Sequence, residues 1–365
     1  MGVSLKVFYG GDFSVKGYRD REFGASFSWD TDLLGGYESS LLCEDLEKQP
    51  IDYETVTKHG VEAVLDREKP DAVLVMGYSH PFDRAALFGA IKRKLPLFYR
   101  GEANDTAIHR PIWKRSIRRL FLKYIYFRCR RLLYIGEEAR RHYEKHGVSN
   151  EKLFFSPYCV DISSFKSGDA HRSTIRIKAR DELSIKDGEK VILYSGKFSH
   201  RKGVDLLLIA AGRCPSNTVL LFVGDGELRT ELEKQSGNDA RVIFTGFQNQ
   251  QKLSKFYHAA DILALPSRHS ETWGLVVNEA LAHGLPAVVS DAVGCRWDLI
   301  RPGITGEIAM RDDADMLVDA LRRCLKYAGT ATTRKNCREI VGPYNIDSAA
   351  QGIFNAYKSV VRKVS

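Results

Sequence analysis

Two carboxylates with a fixed spacing, Glu271 and Glu279, are the first candidates for chemistry in this sequence. They lie in the stretch Asp261–Asp291, whose pattern predicts a short apolar strand, a polar loop, a helix from about Gly274 to His283 and a second strand. In such units the loop after the first strand and the start of the helix form the edge that faces a ligand. We therefore predict that both carboxylates face a bound ligand.

The spacing of these carboxylates limits the chemistry that they can perform. Eight positions, partly helical, separate them by roughly 12 Å at about 1.5 Å per residue. Hydrolysis of a glycosidic bond by paired carboxylates needs only roughly 5–9.5 Å. We predict that Glu271 and Glu279 hold two ends of one elongated ligand. The alternative is two unrelated glutamates on an exposed helix.

A cluster of cations follows another predicted strand, at Ser195–Gly203. Its glycines relax the backbone, and Lys197 and Lys202 supply charges that suit a diphosphate, whereas the alternative is a set of solvated surface lysines. The cluster lacks the spacing of a Walker loop, so nucleoside triphosphate hydrolysis is not indicated. A glycine turn at Val223–Glu227 is a weaker signal, because a full dinucleotide-binding pattern would need glycine where Arg229 stands.

Predicted strand ends in the first half of the chain also carry candidate residues. Gly10 and Gly11 follow the first strand, and such a pair either lets backbone N–H groups approach an anion or simply makes a turn. Arg100 and Glu102 follow the strand that ends at Tyr99. In a doubly wound sheet these strand ends point toward one edge. Glu102 is therefore a candidate functional carboxylate.

The sequence gives little indication of a metal site. Asp30 and Asp32 have the D-x-D spacing of metal-binding sugar-nucleotide enzymes, but we favour turn residues around a helix start, because no apolar strand leads into the pair. Seven scattered cysteines without a C-x-x-C pair argue against a zinc site or a disulfide framework. They favour a reduced, cytosolic setting.

The length, composition and charge of the chain limit the class of protein to which it can belong. With 365 residues, of which 44% are hydrophobic and 28% charged, the chain is expected to be a soluble globular protein of two domains. A formal charge of +9 favours anionic partners: phosphate-bearing molecules, an acidic membrane surface or nucleic acid. No apolar run is long enough to span a membrane, and the N-terminus resembles a strand more than a signal peptide.

The elements that position the candidate residues alternate between strands and helices in both halves of the chain. Such alternation indicates parallel sheets covered on both faces, which is the doubly wound α/β class. The polar stretch Lys166–Ser173 predicts a linker between a domain of residues 1–168 and a domain of residues 174–346. A terminal helix, at about 347–365, is expected to pack back on the first domain.

The most basic stretch, Arg110–Arg131, contains no acidic residue. Apolar residues recur in it at helical spacing and predict a basic amphipathic helix; they are Trp113, Ile117, Leu120, Phe121 and Tyr124. In one interpretation, this apolar face packs on the domain's own sheet and the cations stay in water. In another, the cations are attracted to an anionic membrane surface or to a phosphate-bearing acceptor. Nucleic acid is disfavoured, because no recognisable binding module accompanies the cations.

Five motifs occur in order along the chain: GKFSHRKG at 196–203, VGDGE at 223–227, FTGF at 244–247, FYHAADILALPSRHSETWGLVVNEALAHGLPAVVSD at 256–291 and ITGEI at 304–308. Together they resemble the family 4 glycosyltransferases of the GT-B fold. The resemblance is firm over about residues 185–310 and weaker over 131–166. It implies two Rossmann-like doubly wound domains that face each other across a cleft, with Glu271 and Glu279 as the family's E-x7-E signature.

The resemblance also implies roles for individual residues. Glu271 would contact the donor sugar, Glu279 the ribose, and Lys197 and Lys202 the donor diphosphate; of these Glu271, Lys202 and Lys197 are assigned to catalysis. The implied donor-binding set is Gly196, Lys197, Lys202, Gly226, Phe247, Glu271, Thr272, Trp273, Gly274, Leu275, Val276 and Glu279. The acceptor side is assigned to Gly10, Gly11, Arg100 and Glu102. Many members carry a histidine where this chain has Arg100–Gly101–Glu102.

The implied activity is retaining transfer of a hexose from a UDP- or GDP-sugar to a sugar or lipid-linked glycan, in the synthesis of a surface polysaccharide or glycolipid. Cations and the helix start near Gly274 would stabilise the leaving diphosphate, so neither metal nor cofactor is expected. The expected location is cytoplasmic, with a peripheral position on the inner face of the membrane. The alternatives are a nucleotide-sugar epimerase or hydrolase of the same fold, and a non-catalytic protein that binds an anionic membrane.

Overall fold

The structure is a computed structural model that describes residues 2–19, 26–27, 32–42, 55–102, 112–161 and 169–361. Strands and helices alternate along most of them. The strands are β1 Lys6–Tyr9, β2 Tyr18–Arg19, β3 Ser26–Phe27, β4 Glu38–Leu41, β5 Val73–Val75, β6 Leu97–Arg100, β7 Arg131–Tyr134, β8 Leu153–Phe155, β9 Lys190–Ser195, β10 Thr218–Val223, β11 Val242–Phe244, β12 Ile262–Leu265, β13 Ala287–Ser290 and β14 Gly306–Ala309.

The helices of the first half are α1 Phe13–Lys16, α2 Val61–Glu68, α3 Pro81–Lys92, α4 Ile112–Arg128 and α5 Glu137–Lys145. Those of the second half are α6 Asp169–Glu182, α7 Val204–Gly212, α8 Arg229–Ser236, α9 Gln250–Ala259, α10 Leu275–Ala282, α11 Arg296–Leu299, α12 Ala314–Tyr327, α13 Ala331–Val341 and α14 Ile346–Lys358. β14, α12 and α13 were not predicted from the sequence, although α12 has a clear buried stripe that includes Leu317, Leu321 and Cys324.

The sheet of the C-terminal half is parallel, with strand order β11-β10-β9-β12-β13-β14. Every residue of β10, β12 and β13 is buried, as expected for aliphatic strands covered by helices on both faces. Along the chain, β10 and β11 add to one side of β9, and β12 then adds to its other side. The strand order reverses between β9 and β12, so the loops after these two strands diverge and leave a crevice between them.

The N-terminal half contains a parallel sheet of order β5-β6-β7-β8 and a separate parallel pair of β1 with β4. Because side chains alternate along a strand, the two faces of this sheet have different partners. Leu97, Tyr99 and Leu132 pack with residues of α3 and α4 on one face. Phe98 and Leu133 point to the other face and pack with residues of α14. Both halves are therefore sheets with helices on two faces.

The C-terminal helix α14 completes the core of the N-terminal half. Ala356 is fully buried between Phe98 and Leu133. Gly352 lies so close to the carbonyl oxygen of Phe155 that a Cβ at this position would be 1.9 Å from it. α14 therefore belongs to the N-terminal half in space, although the whole C-terminal half lies between them in sequence.

The two halves also meet at Asp298, in α11. Its carboxylate accepts bonds from the backbone N–H of Glu137 at 2.9 and 3.2 Å and from the Tyr344 hydroxyl at 2.8 Å. A carboxylate of one half thus sits at the N-terminus of a helix of the other half, where negative charge is favoured. Burial raises the pKa of Asp298 to about 6, against the lowering effect of these two donors. Arg296 and Glu138 form an ion pair beside it, at 3.4 Å.

The predicted linker at 166–173 lies partly outside the described residues, which resume at Asp169. From this residue the chain is helical, so 169–173 begin α6 and are not an extended linker. The guanidinium groups of Arg176 and Arg180 each bond the carboxylate of Asp261 at 2.9 Å. These bonds attach α6 to the residue that precedes β12, in the C-terminal half.

The predicted basic helix is confirmed as α4. The interpretation that its predicted apolar face packs on the domain's own sheet is wrong. The residues of α4 that are buried in the N-terminal core are Leu122, Ile125 and Tyr126. Four predicted face residues are exposed and one is half-buried; the exposed ones are Trp113, Ile117, Leu120 and Tyr124 and the half-buried one is Phe121. The helix is apolar on two sides, and periodicity alone does not tell which side a sheet covers.

The Asp32 carboxylate accepts bonds from the N–H groups of Leu34 and Gly35 at 3.1 and 2.8 Å, which is a turn; Asp30 lies outside the described residues. The cysteines of the described residues are free thiols. Within those same residues, no helix combines the length and the apolar character needed to cross a membrane.

A buried histidine, His283, follows the last residue of α10 and packs against α9. Its Nδ1 lies 2.7 Å from the carbonyl oxygen of Glu279 and its Nε2 lies 2.8 Å from the Ser254 hydroxyl. Its ring stacks on Tyr257 with centroids 4.9 Å apart. Burial lowers the pKa of His283 to about 3. A neutral ring that donates from Nδ1 and accepts at Nε2 satisfies both neighbours.

We predict that acid weakens the fold through His283. Its pKa in the folded chain, about 3, lies below the value of about 6.5 expected when unfolded, so only the unfolded chain gains a proton between these values. The stabilisation is present above about pH 6.5 and is lost as the pH falls, by about 2 kcal/mol at pH 5. Between about pH 7 and pH 5, the free energy of unfolding measured with urea should fall by about 2 kcal/mol less for His283→Asn than for the native chain. Equal losses would contradict the prediction.

Candidate active site

The loops that follow β9 and β12 meet where the strand order reverses. Gly203 has a left-handed backbone at φ +69°, and a Cβ there would lie 2.3 Å from the carbonyl oxygen of Pro266. The Arg268 N–H donates to the carbonyl oxygen of Arg201 at 2.8 Å. Glycine at position 203 therefore lets the two loops touch. This contact brings the cation cluster after β9 next to the carboxylate in the loop after β12.

Glu271 lies where the charges of the two loops converge. Its carboxylate accepts bonds from the Lys202 ammonium and, at 2.9 Å, from the Ser267 hydroxyl, and the Arg201 guanidinium lies 4.0 Å away. All three contacts go to the same oxygen, Oε2. Glu271 and Lys202 expose only 12% and 15% of their side chains, so their attraction is screened less than that of a surface pair. The structure thus brings together two residues that the sequence assigned to catalysis.

The turns after β9 and β10 stack on one another through glycines. Gly196 and Gly224 have φ values of +149° and +141°, and a Cβ on Gly224 would lie 1.9 Å from the carbonyl oxygen of Gly196. A Cβ on Gly226 would lie 2.6 Å from the carbonyl oxygen of Phe198. The predicted glycine turn is therefore present in the structure, and its glycines let two backbone segments pack closely.

Two further predicted donor residues lie at the same edge of the sheet. Lys197 is half-buried in the turn after β9, and the Tyr194 hydroxyl bonds its carbonyl oxygen at 2.7 Å. Phe247 is half-buried and follows Gly246, whose carbonyl oxygen accepts the N–H of Gly224 at 3.0 Å. Lys197 therefore lies in a turn that borders the crevice, whereas Phe247 follows β11, which is two strands away from β9. Their contact with a donor stays a prediction.

An arginine that the sequence analysis did not single out holds the loop of Glu271. The Arg268 guanidinium bonds the two carboxylate oxygens of Asp205 at 2.6 and 2.9 Å, Asp312 at 2.5 Å and the carbonyl oxygen of His200 at 2.7 Å. Burial raises the pKa of Asp205, but the Arg268 bonds outweigh it and hold that pKa below its usual value. The carboxylates lie 63 and 44 residues away in sequence, so no local pattern marks Arg268.

The N-terminus of α10 opens onto the same crevice. Gly274, at φ +98°, precedes the helix and provides no side-chain cap. Its carbonyl oxygen accepts the first helical bond, from the N–H of Val277 at 2.9 Å. The N–H groups of Leu275 and Val276 come before that bond and belong to the positive end of the helix. Such an end suits a phosphate.

Glu279 is buried one turn further along α10. Its carboxylate accepts bonds from the Tyr257 hydroxyl at 2.5 Å and from the Gln250 side-chain amide at 3.1 Å. Burial raises the pKa of Glu279, and these two bonds oppose the rise. Each carboxylate oxygen is therefore engaged by α9 in this structure. The predicted contact of Glu279 with a ribose stays a prediction.

Trp273 is buried, and its surroundings belong to the contact between the two halves. Its indole N–H donates to Asn278 at 2.8 Å, and its ring packs against Tyr344 and Tyr158. A Cβ on Gly136 would lie 2.1 Å from this ring. These contacts give Trp273 a structural role beside the donor-binding role that the resemblance implied.

Glu102 and the loop of Glu271 meet across the cleft. The Thr272 hydroxyl donates to the Glu102 carboxylate at 2.9 Å, and the Tyr158 hydroxyl also bonds it. Thr272 and Glu102 come from opposite halves of the chain, 170 residues apart. The candidate carboxylate of the first half therefore lies directly beside the predicted donor loop, and its role toward an acceptor stays a prediction.

The other predicted acceptor-side residues have structural contacts. Arg100 is buried, donates to the carbonyl oxygens of Ser156 and Pro157 and lies over the Tyr158 ring at 5.1 Å. Burial lowers its pKa. A Cβ on Gly10 would lie 2.3 Å from the Val56 side chain, while Gly11 is half-buried beside it. Arg100 thus braces the sheet, and Gly10 permits close packing.

The two sheets, the crevice between β9 and β12 and the returning α14 define the fold as GT-B, the two-domain fold of many glycosyltransferases. The Anabaena protein Alr3699/HepE, solved in complex with UDP and glucose, has a similar fold, with a TM-score of 0.66 and 21% sequence identity over 82% of this chain and 81% of that one. Residues 175–341 also match the family model described as Glycosyl transferases group 1. The matched residues lie in the C-terminal half of the chain and include Lys202 and Glu271.

Curated relatives resemble part of the chain. An uncharacterized glycosyltransferase of Methanocaldococcus jannaschii is 31% identical over 190 residues, which are 50% of this chain and 48% of that protein. The D-inositol 3-phosphate glycosyltransferase of Mycobacterium bovis is 29% identical over 238 residues, 62% of this chain and 47% of that protein. The chain spans about half the length of these curated relatives.

We predict that alanine at Gly224 disrupts this edge of the sheet, since its Cβ would lie 1.9 Å from a backbone oxygen. Gly188→Ala is a matched control: Gly188 also has a positive φ, +82°, but a Cβ there meets no atom within 4 Å. We expect a loss of about 3 kcal/mol or more for Gly224→Ala and about 1 kcal/mol for Gly188→Ala. Denaturant unfolding measures both, and similar losses would contradict the packing argument.

We predict that Arg268→Ala loosens the loop of Glu271, because two carboxylates lose their partner. The expected loss of stability is about 1–3 kcal/mol, with weaker binding of whatever ligand the crevice takes. Arg213→Ala is the control, since its bond to Asp315 is largely exposed and should be worth less than about 0.5 kcal/mol. Thermal unfolding compares the two variants. An Arg268→Ala variant no less stable than Arg213→Ala would refute the role of Arg268.

Proposed function

We propose that this protein is a retaining glycosyltransferase that moves a hexose from a nucleotide-diphosphate sugar to a sugar or lipid-linked glycan acceptor. The observation that carries the proposal is the mostly buried pair of Glu271 and Lys202 in the crevice between β9 and β12, beside the N-terminus of α10. The carboxylate can accept hydrogen bonds from sugar hydroxyls, and the anion-binding groups beside it can bind a diphosphate. The site therefore suits a donor that contains both a sugar and a diphosphate. The family match over residues 175–341 supports the same class.

The donor diphosphate would be bound by positive charge from three sources. Lys202 lies at the crevice, Lys197 lies in the same turn, and the N–H groups of Leu275 and Val276 form the positive end of α10. An ammonium group has three donors, so Lys202 can keep its bond to Glu271 while it contacts a phosphate oxygen. These groups stabilise the negative charge that grows on the leaving diphosphate.

Glu271 is the residue that we assign to the donor sugar. Lys202 and Ser267 fix its Oε2, so the carboxylate is held in one orientation before the donor arrives. The bond from the sugar's C1 to the diphosphate oxygen loosens to an oxocarbenium-like state. The acceptor oxygen then bonds C1 on the same face, and the leaving phosphate takes its proton. In this scheme the anomeric configuration is retained.

The donor and acceptor are proposed at the level of class. We favour a UDP-sugar and keep a GDP-sugar as the alternative, because a protein of similar fold was solved with UDP and glucose. We assign Glu102, which accepts a hydrogen bond from Thr272, to an acceptor hydroxyl that would enter from the first half of the chain. We place the protein in the cytoplasm, in agreement with its free thiols, acting in the synthesis of a surface polysaccharide or glycolipid.

We predict that Glu271→Gln and Lys202→Ala each lower kcat/KM for sugar transfer by about 100-fold or more, which is about 3 kcal/mol of transition-state stabilisation. Lys335→Ala and Glu339→Ala are the controls, because this Lys–Glu pair lies exposed on α13 at 3.7 Å. The control variants should keep full activity. Unchanged transfer in Glu271→Gln would refute the assignment.

A thermal-shift screen across UDP- and GDP-sugars identifies the donor, since a ligand that binds only the folded chain raises the melting temperature. Chelation of divalent metals should leave transfer unchanged. If the donor is consumed without any acceptor, the chain is an epimerase or hydrolase. If no nucleotide sugar raises the melting temperature while lipid vesicles still bind, the chain is a non-catalytic membrane-binding protein.

A further inference from the structure

Helix α4 has two apolar stripes on opposite sides, and each has a different environment. The inner stripe packs in the core of the N-terminal half and is formed by Leu122, Ile125, Tyr126 and the adjoining Cys129. The outer stripe is formed by Trp113, Ile117, Leu120, Tyr124 and Phe127, with between 44% and 80% of each residue exposed. A soluble domain needs one apolar stripe on such a helix, so the outer one requires another explanation.

The outer stripe is continuous and straight. Its members are spaced by four, three, four and three positions, which keeps them on one side of a helix with about 3.6 residues per turn. The inner stripe lies on the other side, roughly half a turn away. The 17 residues of α4 extend over about 25 Å at about 1.5 Å per residue. The outer stripe is thus a long apolar ridge and not an isolated exposed side chain.

Basic residues border the outer stripe. The helix contains six lysines and arginines and no acidic residue. Arg119 and Lys123 are exposed on one side of the stripe, and Arg128 is exposed on the other side, with its guanidinium over the Tyr124 ring at 5.4 Å. The Lys152 ammonium lies over the Phe127 ring at 5.8 Å, at the end of the ridge. Long cationic side chains in these positions can reach phosphate groups while the ridge is buried.

We propose that α4 docks the protein on an anionic lipid membrane, with its outer stripe at the acyl boundary and its cations at the lipid phosphates. A helix with an apolar face bordered by lysine and arginine is suited to lie in the plane of the interface. Charge complementarity and the apolar ridge together favour an anionic lipid membrane over other partners. A second copy of the chain would bring six further cations against this ridge, and a nucleic acid would leave the aromatic and aliphatic ridge without an apolar partner.

Docking through α4 would place the cleft close to the lipid headgroups. The Arg118 guanidinium in α4 bonds the Tyr78 hydroxyl at 3.0 Å, and Tyr78 lies just after β5, at the same sheet edge as Glu102. Glu102 contacts Thr272 across the cleft. Access of a lipid-linked acceptor to this edge rests on the proposed function. The docking itself rests on α4 alone.

Vesicle flotation tests the docking with the whole chain. We expect binding to vesicles of phosphatidylcholine mixed with phosphatidylglycerol, little binding to phosphatidylcholine alone, and weaker binding as salt increases. The double variant Ile117→Ser with Leu120→Ser should bind at least about tenfold more weakly. Ile177→Ser is the matched control, because Ile177 in α6 has the same exposure as Ile117, 63% against 62%. Lys123→Gln should weaken binding by about fivefold.

Folding and activity are measured on the same variants. Because the exchanged side chains are exposed, their melting temperatures and their thermal shift with nucleotide sugars should match those of the native chain, so loss of docking is separable from loss of the proposed activity. A blue shift of fluorescence on vesicle binding that Trp113→Phe removes would support insertion of the ridge. Undiminished vesicle binding by the double variant, or a dimer in solution that this variant dissociates, would overturn the proposal.

Discussion

The reversal of strand order between β9 and β12 is the constraint on which the candidate site depends. The loops that follow these two parallel strands leave in opposite directions and open a crevice, and the side chains of Lys202 and Glu271 in those loops meet there. Glycine at 203 lets the loops touch at their base, and Arg268 fixes the outer part of the second loop. The meeting of Lys202 with Glu271 follows from this backbone geometry. The chemistry of the site is thus a consequence of topology more than of any single motif.

Much of this arrangement could be predicted from the sequence, because its signals are local. The alternation of apolar runs with helices predicted parallel sheets in both halves of the chain. Lys202 and Glu271 were found because both lie in the loops that follow strands, which places them at one edge without knowledge of the packing. What remained hidden depends on distant partners. Arg268 has nothing unusual around it, and the burial of Glu279 depends on Tyr257 and Gln250 of α9.

Helix α4 shows a different limit of sequence analysis. Its periodicity was recognised, but a helix with apolar residues on two sides offers two equally good packing faces, and only the sheet decides between them. The sheet took the face of Leu122 and Ile125. The face that the periodic pattern made most visible is the exposed one. An apolar side chain on a strongly basic helix therefore does not by itself indicate a core position, since the same pattern serves a helix at an interface.

The return of α14 to the first sheet has a consequence for how the chain folds during synthesis. Phe98 and Leu133 leave the ribosome more than 200 residues before Ala356, the residue that covers them. Domains usually fold as units as they emerge, but the earliest domain here cannot close its core until the last helix arrives. The C-terminal half can be finished first, although it is made second. Until then an apolar sheet face stays open to water, and a chain shortened by its final helix would keep it so.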